Sequence, residues 1–180
     1  MFIDSHCHLA SRRFSKDEVP GLIDRALYAG IDRMVTLATC LDDVPANLEI
    51  ATHPAVHACI GIHPCDVHHA PDDAPEQLAA LVTDPRVCAI GETGLDYYHP
   101  APEGWTDENF RERQRHFLER HFQLASKAQL NVVIHTRDAT GRESFEDALE
   151  IYRRHHSSVR AVFHCFAGSW AEASRVIDLG

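Results

Sequence analysis

The sequence predicts an α/β fold of the (β/α) TIM-type barrel, and three observations carry that prediction. Six short apolar or β-branched runs alternate with amphipathic stretches along the whole chain, and such alternation implies parallel strands joined by right-handed crossovers. Polar side chains collect just past those runs, at the strand ends where barrels assemble their sites. Neither a Gly-x-Gly-x-x-Gly after the first run nor a Walker loop is present, so doubly wound nucleotide-binding sheets lose support.

The strand-like runs, in order, are Phe2-Ile3, Arg33 to Leu37, Val56 to Ile60, Val87 to Ile90, Asn131 to Ile134 and Val159 to Phe163. A long helix is expected over about 106 to 128, because Thr106 precedes Asp107 and Glu108 as a cap with an acidic first turn. Its apolar stripe is Phe110, Phe117, Leu118, Leu124, Ala125 and Ala128, and Arg111, Glu112, Arg113, Arg115 and Glu119 form the wet side. Phe145, Ala148, Leu149 and Tyr152 recur at helical spacing, and a last helix runs from about Trp170 to Leu179. Pro71 to Pro75 and Pro100 to Gly104 read as loops, and no repeat or Gly/Ser linker divides the chain. Residues 1–180 therefore read as a single (β/α) barrel domain, with six of the eight units and about 250 residues typical of a complete barrel. The last two β/α units would be lacking, and the first and sixth strands would be exposed edges open to self-association.

Composition narrows the function. With 44% hydrophobic and 24% charged residues, the chain is ordinary for a globular domain. No apolar stretch approaches the roughly 20 residues that span a bilayer, and Met1 to Arg13 lacks the apolar core of a signal peptide. A cytoplasmic protein without membrane contact is the expectation. The six cysteines form no Cys-x-x-Cys pair and read as reduced, mostly buried thiols. A formal charge of -10 argues against a broad nucleic-acid footprint, although bound divalent cations can dominate the field within a cleft. Of the 14 histidines, His53, His57, His68, His69, His99, His116, His121, His155 and His156 are expected to be solvated.

The rest sit at strand ends. His6 and His8 flank Cys7, and on a strand residues i and i+2 face one side, so both imidazoles could reach one ion. Later ends supply His63, Glu92, His135 and His164. Around one rim, His6, His8, Glu92, His135 and His164 exceed what a single tetrahedral ion uses. Glu92 could bridge two divalent cations, with His6 and His8 on one and His135 and His164 on the other. Two ions about 3.5 to 4 Å apart could activate water and stabilise attacking and leaving oxygens. Arg137, in phase with His135, either holds a phosphate with its planar fork or pairs with Asp138 or Asp96. His63 is a phosphate contact, a support to the ligands or a structural histidine. Asp4 could orient a ligand, and Tyr97 and Tyr98 are expected to pack over the rim.

The segments Phe2 to Leu9 (FIDSHCHL), Gly61-Ile62-His63-Pro64, Ile90 to Tyr98 (IGETGLDYY), Val133 to Ala139 (VIHTRDA) and Phe163 to Gly168 (FHCFAG) closely resemble the signatures of TatD-family metal-dependent hydrolases. The resemblance spans nearly the whole chain, and five motifs in order are far more specific than any one. It implies a barrel of the amidohydrolase-like group with a two-metal centre and deoxyribonuclease or phosphodiesterase activity on DNA ends or single strands. On matching positions, His6 and His8 would hold one ion, Glu92 would bridge, and His135 with His164 would hold the other. Many members of the wider group bridge with a carbamylated lysine, but Lys16 and Lys127, the only lysines, lie outside the motifs. Glu92 is therefore the candidate bridge.

The family pattern closes with an aspartate after the eighth strand that binds metal and handles the proton of the attacking water. The sequence reaches Gly180 without it. The expectation is a C-terminally truncated member with impaired metal binding, arising as a fragment, as a natural truncation or as a partner in an assembly that completes the wall. Zn²⁺, Mn²⁺ and Mg²⁺ all suit the ligands. Two rivals stay open: hydrolysis of an amide, lactone or nucleobase at the same site, and a metal-binding protein without turnover.

Overall fold

A computed structural model describes residues 1–180. Its six parallel strands lie in sequence order: β1 (Phe2–Cys7), β2 (Ile31–Leu37), β3 (Val56–Ile60), β4 (Val87–Tyr97), β5 (Asn131–Asp138) and β6 (Ala161–Phe163). Helices α1 (Val19–Tyr28), α2 (Val44–Ile50), α3 (Ala74–Ala79), α4 (Asp107–Ala128) and α5 (Glu143–His155) fill the crossovers, and α6 (Trp170–Ile177) follows β6. Each run expected as a strand contains one, although β6 begins at Ala161 rather than at Val159. Pro75, read as part of a loop, instead lies in the first turn of α3, where its missing N–H costs nothing.

The sheet is a half-barrel. Laid flat, six strands spaced about 4.8 Å apart would separate β1 from β6 by about 24 Å. Instead, the rings of His6 on β1 and His164 just past β6 stack with centroids 4.0 Å apart. The two edge strands thus converge at the C-terminal rim without pairing with each other. Their outer residues are bare, with Phe2 71%, Ile3 57% and Val162 56% exposed.

The core follows from the period of two. Residues facing the helices join one large cluster, in which Met34, Ile60, Ile90 and Ile134 pack against Phe117, Leu118, Phe122 and Leu149. A second, small cluster of Leu37, Cys59, Ala89 and Val133 contains only strand residues, so it lines the concave face. Within α4 the capping expectation holds, because Thr106 accepts a hydrogen bond from the Asn109 N–H at 3.2 Å. Its buried face differs from the expected stripe: Gln114, His121 and Phe122 are buried, and Ala128 is only half-buried.

Strands β4 and β5 run longer than their apolar runs. Pairing continues through the polar motifs as far as Tyr97 opposite Asp138, so Glu92, His135 and Arg137 stand on strands rather than in loops. No helix is long and apolar enough to cross a membrane. All six cysteines are free, but only Cys59 is fully buried and Cys165 is exposed.

Candidate metal centre

Glu92 reaches the centre of the rim because β4 is bulged there. Between Ile90 and Thr93 the chain takes three steps while β5 takes two, from Val132 to Ile134, and such a bulge re-aims a side chain. A similar irregularity lies between Asp4 and Cys7 in β1. β1 ends at Cys7, so His8 stands just beyond the strand. Both rings nevertheless face Glu92. Asp4 acts on the backbone rather than on a ring, its carboxylate accepting from the His6 N–H at 3.1 Å.

Five imidazoles crowd one carboxylate. His6 and His8 place Nε2 at 3.3 and 3.4 Å from Glu92 Oε2. His63 Nε2, His135 Nδ1 and His164 Nε2 lie 3.6, 3.1 and 2.6 Å from Oε1. By mutual proximity the donors group as His6, Glu92 and His164, and as His63, Glu92 and His135, which divides the histidines differently from the sequence-based pairs. The tautomers separate ligands from donors. His8 Nδ1 lies 3.1 Å from the Leu37 carbonyl and His135 Nε2 lies 3.0 Å from Asp96 Oδ2, so each presents a lone pair to Glu92 when neutral. His63 is reversed, because its Nδ1 accepts from the Cys65 N–H at 3.2 Å, leaving Nε2–H aimed into the site.

Lone pairs facing a buried carboxylate repel it unless a cation or proton lies between. His6 Nδ1 and His164 Nε2 are moreover buried without a hydrogen-bond partner, the latter despite its closeness to Glu92. These residues fit divalent cations. Without them, protons take over: burial works against charge on His135, but its bonds to Asp96 and Glu92 prevail and push its pKa up to about 9. Burial would likewise raise the Glu92 carboxyl, yet the protonated rings of His135, His164, His6 and His8 beside it hold it far below the carboxylate range. His63 goes the other way, its burial lowering it to about 4 and favouring the neutral donor.

Other expectations meet mixed outcomes. Arg137 forms neither of the anticipated ion pairs. Its guanidinium lies over the Tyr98 ring at 4.0 Å, while Asp138 caps α5 by accepting from Ser144 N–H and O–H at 2.9 and 2.6 Å. Tyr98 is at the rim, but Tyr97 is buried toward the helices, donating to Asp147 at 2.7 Å. Sequence reasoning missed three supports. Asp96, 1% exposed, holds His135. Gln114 on α4 clips the Asp96 backbone, accepting its N–H at 2.8 Å and donating to its carbonyl at 3.2 Å. His121, expected in solvent, is wholly buried: Nδ1 donates to the Phe117 carbonyl at 2.7 Å and Nε2 accepts from the Ile62 N–H at 3.3 Å. The available signal was position, since 114 and 121 share the phase of Phe110, Phe117 and Leu118.

Fold and site define a parallel half-barrel carrying a centre of metal-ligand side chains at the C-terminal ends of its strands. A family model described as TatD related DNase matches residues 3–180, and the chain belongs to that family. It is 33% identical to the uncharacterized metal-dependent hydrolase YjjV of Escherichia coli K12, over 99% of this chain and 65% of the relative. It is 30% identical to the 3'-5' ssDNA/RNA exonuclease TatD of Salmonella typhimurium, over 98% of this chain and 64% of that protein. The crystal structure of the E. coli YjjV superposes with a TM-score of 0.84 at 30% identity, covering 99% of this chain and 65% of that one. A phosphotriesterase homology protein of E. coli shares the fold alone, at 12% identity and a TM-score of 0.63. The chain thus spans about two thirds of the length of the relatives it matches.

Proposed function

We propose that this chain carries the two-metal centre of a phosphodiester hydrolase acting on DNA ends or single strands. The observation that carries the reading is the division of imidazoles between the two Glu92 oxygens, His6 and His8 at Oε2 and His63, His135 and His164 at Oε1. In this reading His6 and His8 would hold one ion and His135 with His164 the other, as Zn²⁺, Mn²⁺ or Mg²⁺, with Glu92 shared between them. Bound there, the ions supply Lewis acidity toward a phosphoryl oxygen and a water of lowered pKa. The nucleic-acid substrate is supported by the exonuclease name of one relative.

The protein's own part is positional. Asp96 and the Leu37 carbonyl fix the tautomers of His135 and His8. His63 offers Nε2–H to a phosphate oxygen, and Arg137, placed over the Tyr98 ring, keeps an exposed cationic fork at the rim of an otherwise acidic protein. Elemental analysis after metal loading, paired with cleavage of end-labelled single-stranded DNA, tests the reading. Glu92→Gln should lose bound metal and cleavage together. If metal content and cleavage are unchanged in Glu92→Gln and His135→Ala, the proposal fails. Turnover of esters or amides with DNA left intact would replace the substrate and keep the centre.

A further inference from the structure

Beside this centre lies another group of donors, of which only Asp96, the support of His135, has a part in the proposed function. Cys65 follows His63 by two positions, and His99 follows β4. Cys65 Sγ is 3.7 Å from His99 Nδ1, which in turn lies 3.1 Å from each Asp96 oxygen. One ligand atom from each of the three residues falls within 4.8 Å of the others.

Both separations from His99 Nδ1 match those around a shared ion. Tetrahedral Zn²⁺, with bonds of about 2.3 Å to sulfur and 2.0 to 2.2 Å to nitrogen and oxygen, sets ligands about 3.6 Å apart for S and N and about 3.3 Å for N and O. The scaffold is fixed in advance. The N–H groups of Tyr98 and His99 donate to Asp96 Oδ1 at 3.1 and 3.0 Å, and the Cys65 N–H is tied to His63. A thiol, an imidazole and a carboxylate on one point, with the His99 side chain 48% exposed, make a closed face and an open one.

We propose that Cys65, Asp96 and His99 form an additional site for a thiophilic divalent cation of the Zn²⁺ class, with its remaining position open to solvent. Sulfur distinguishes it from the five-imidazole centre and selects softer ions than Mg²⁺. Asp96 joins the two, because its Oδ2 also receives His135 Nε2.

Cobalt titration of the metal-depleted chain tests this, because only a thiolate ligand gives a sulfur-to-cobalt charge-transfer band. The expected result is a band that saturates near one equivalent, vanishes in Cys65→Ser and persists in Cys165→Ser. His99→Ala, at an exposed position that leaves folding intact, should weaken the cobalt affinity read from that band by at least about tenfold. A wild-type chain without the band, or a band unchanged in Cys65→Ser and His99→Ala, overturns the proposal. Cobalt bound without the band would overturn it while leaving the imidazole centre standing.

Discussion

His121 shows how one buried side chain can tie a helix to the rim. Its Nε2 accepts the N–H of Ile62, the residue before His63, and the Thr93 hydroxyl, beside Glu92, lies 3.2 Å from Nδ1. A proton on Nε2 would face that N–H, and burial lowers the pKa to about 4. An unfolded histidine titrates near 6.5. Between those values the unfolded chain binds the extra proton, so the contribution of His121 is complete above pH 6.5 and is lost as pH falls through 4, by about 3 kcal/mol in all. Urea unfolding across this range should show a shallower pH slope for His121→Gln than for wild type; identical slopes would refute the assignment. The strand-end histidines were legible in sequence because each follows an apolar run. His121 was passed over because a lone imidazole on a helix reads as polar, and only its phase with Phe117 and Leu118 marks it as buried.

At the scale of elements, the two bulges explain what periodicity missed. A regular β4 would alternate its faces through Glu92, whereas the bulge after Ile90 resets that phase. The strand then presses against β5. Gly94, opposite His135, has φ +140° and sits so close that a β-carbon would collide with the His135 carbonyl. Gly94→Ala should therefore cost about 2–4 kcal/mol by denaturant unfolding, from strained backbone and overpacking together; a loss under about 1 kcal/mol would mean that β5 yields. Helix caps were readable because their chemistry is local. Thr106 on α4 is such a case, and Thr106→Ala should lower stability by about 1 kcal/mol in the same assay without altering metal content. Asp138 escaped notice as the support of α5 because it lies six residues from Ser144, across a turn.

For the whole molecule, alternation of runs sufficed to read a parallel sheet, and strand-end chemistry sufficed to choose the barrel. How closely the two edge strands approach at the rim was beyond reach, since no local pattern records how far the sheet curls. The consequence is an open seam. At the rim the seam is closed by side chains, His6 stacked on His164, but lower down Phe2, Ile3 and Val162 stand exposed on strands whose outer edges have no partner. Edges of this kind pair with other chains unless charge or cover prevents it, and these residues are apolar. The 180-residue chain should therefore associate as its concentration rises, with sedimentation velocity showing dimers or larger species at tens of micromolar. Val162→Lys places a charge on the β6 edge and should shift that distribution toward monomer. Since Val162 lies on the strand and makes no contact with Glu92, metal content should be unchanged. A wild-type chain that stays monomeric at those concentrations would show that the seam is guarded by its own twist, and that the exposed apolar residues are too few to recruit a second copy.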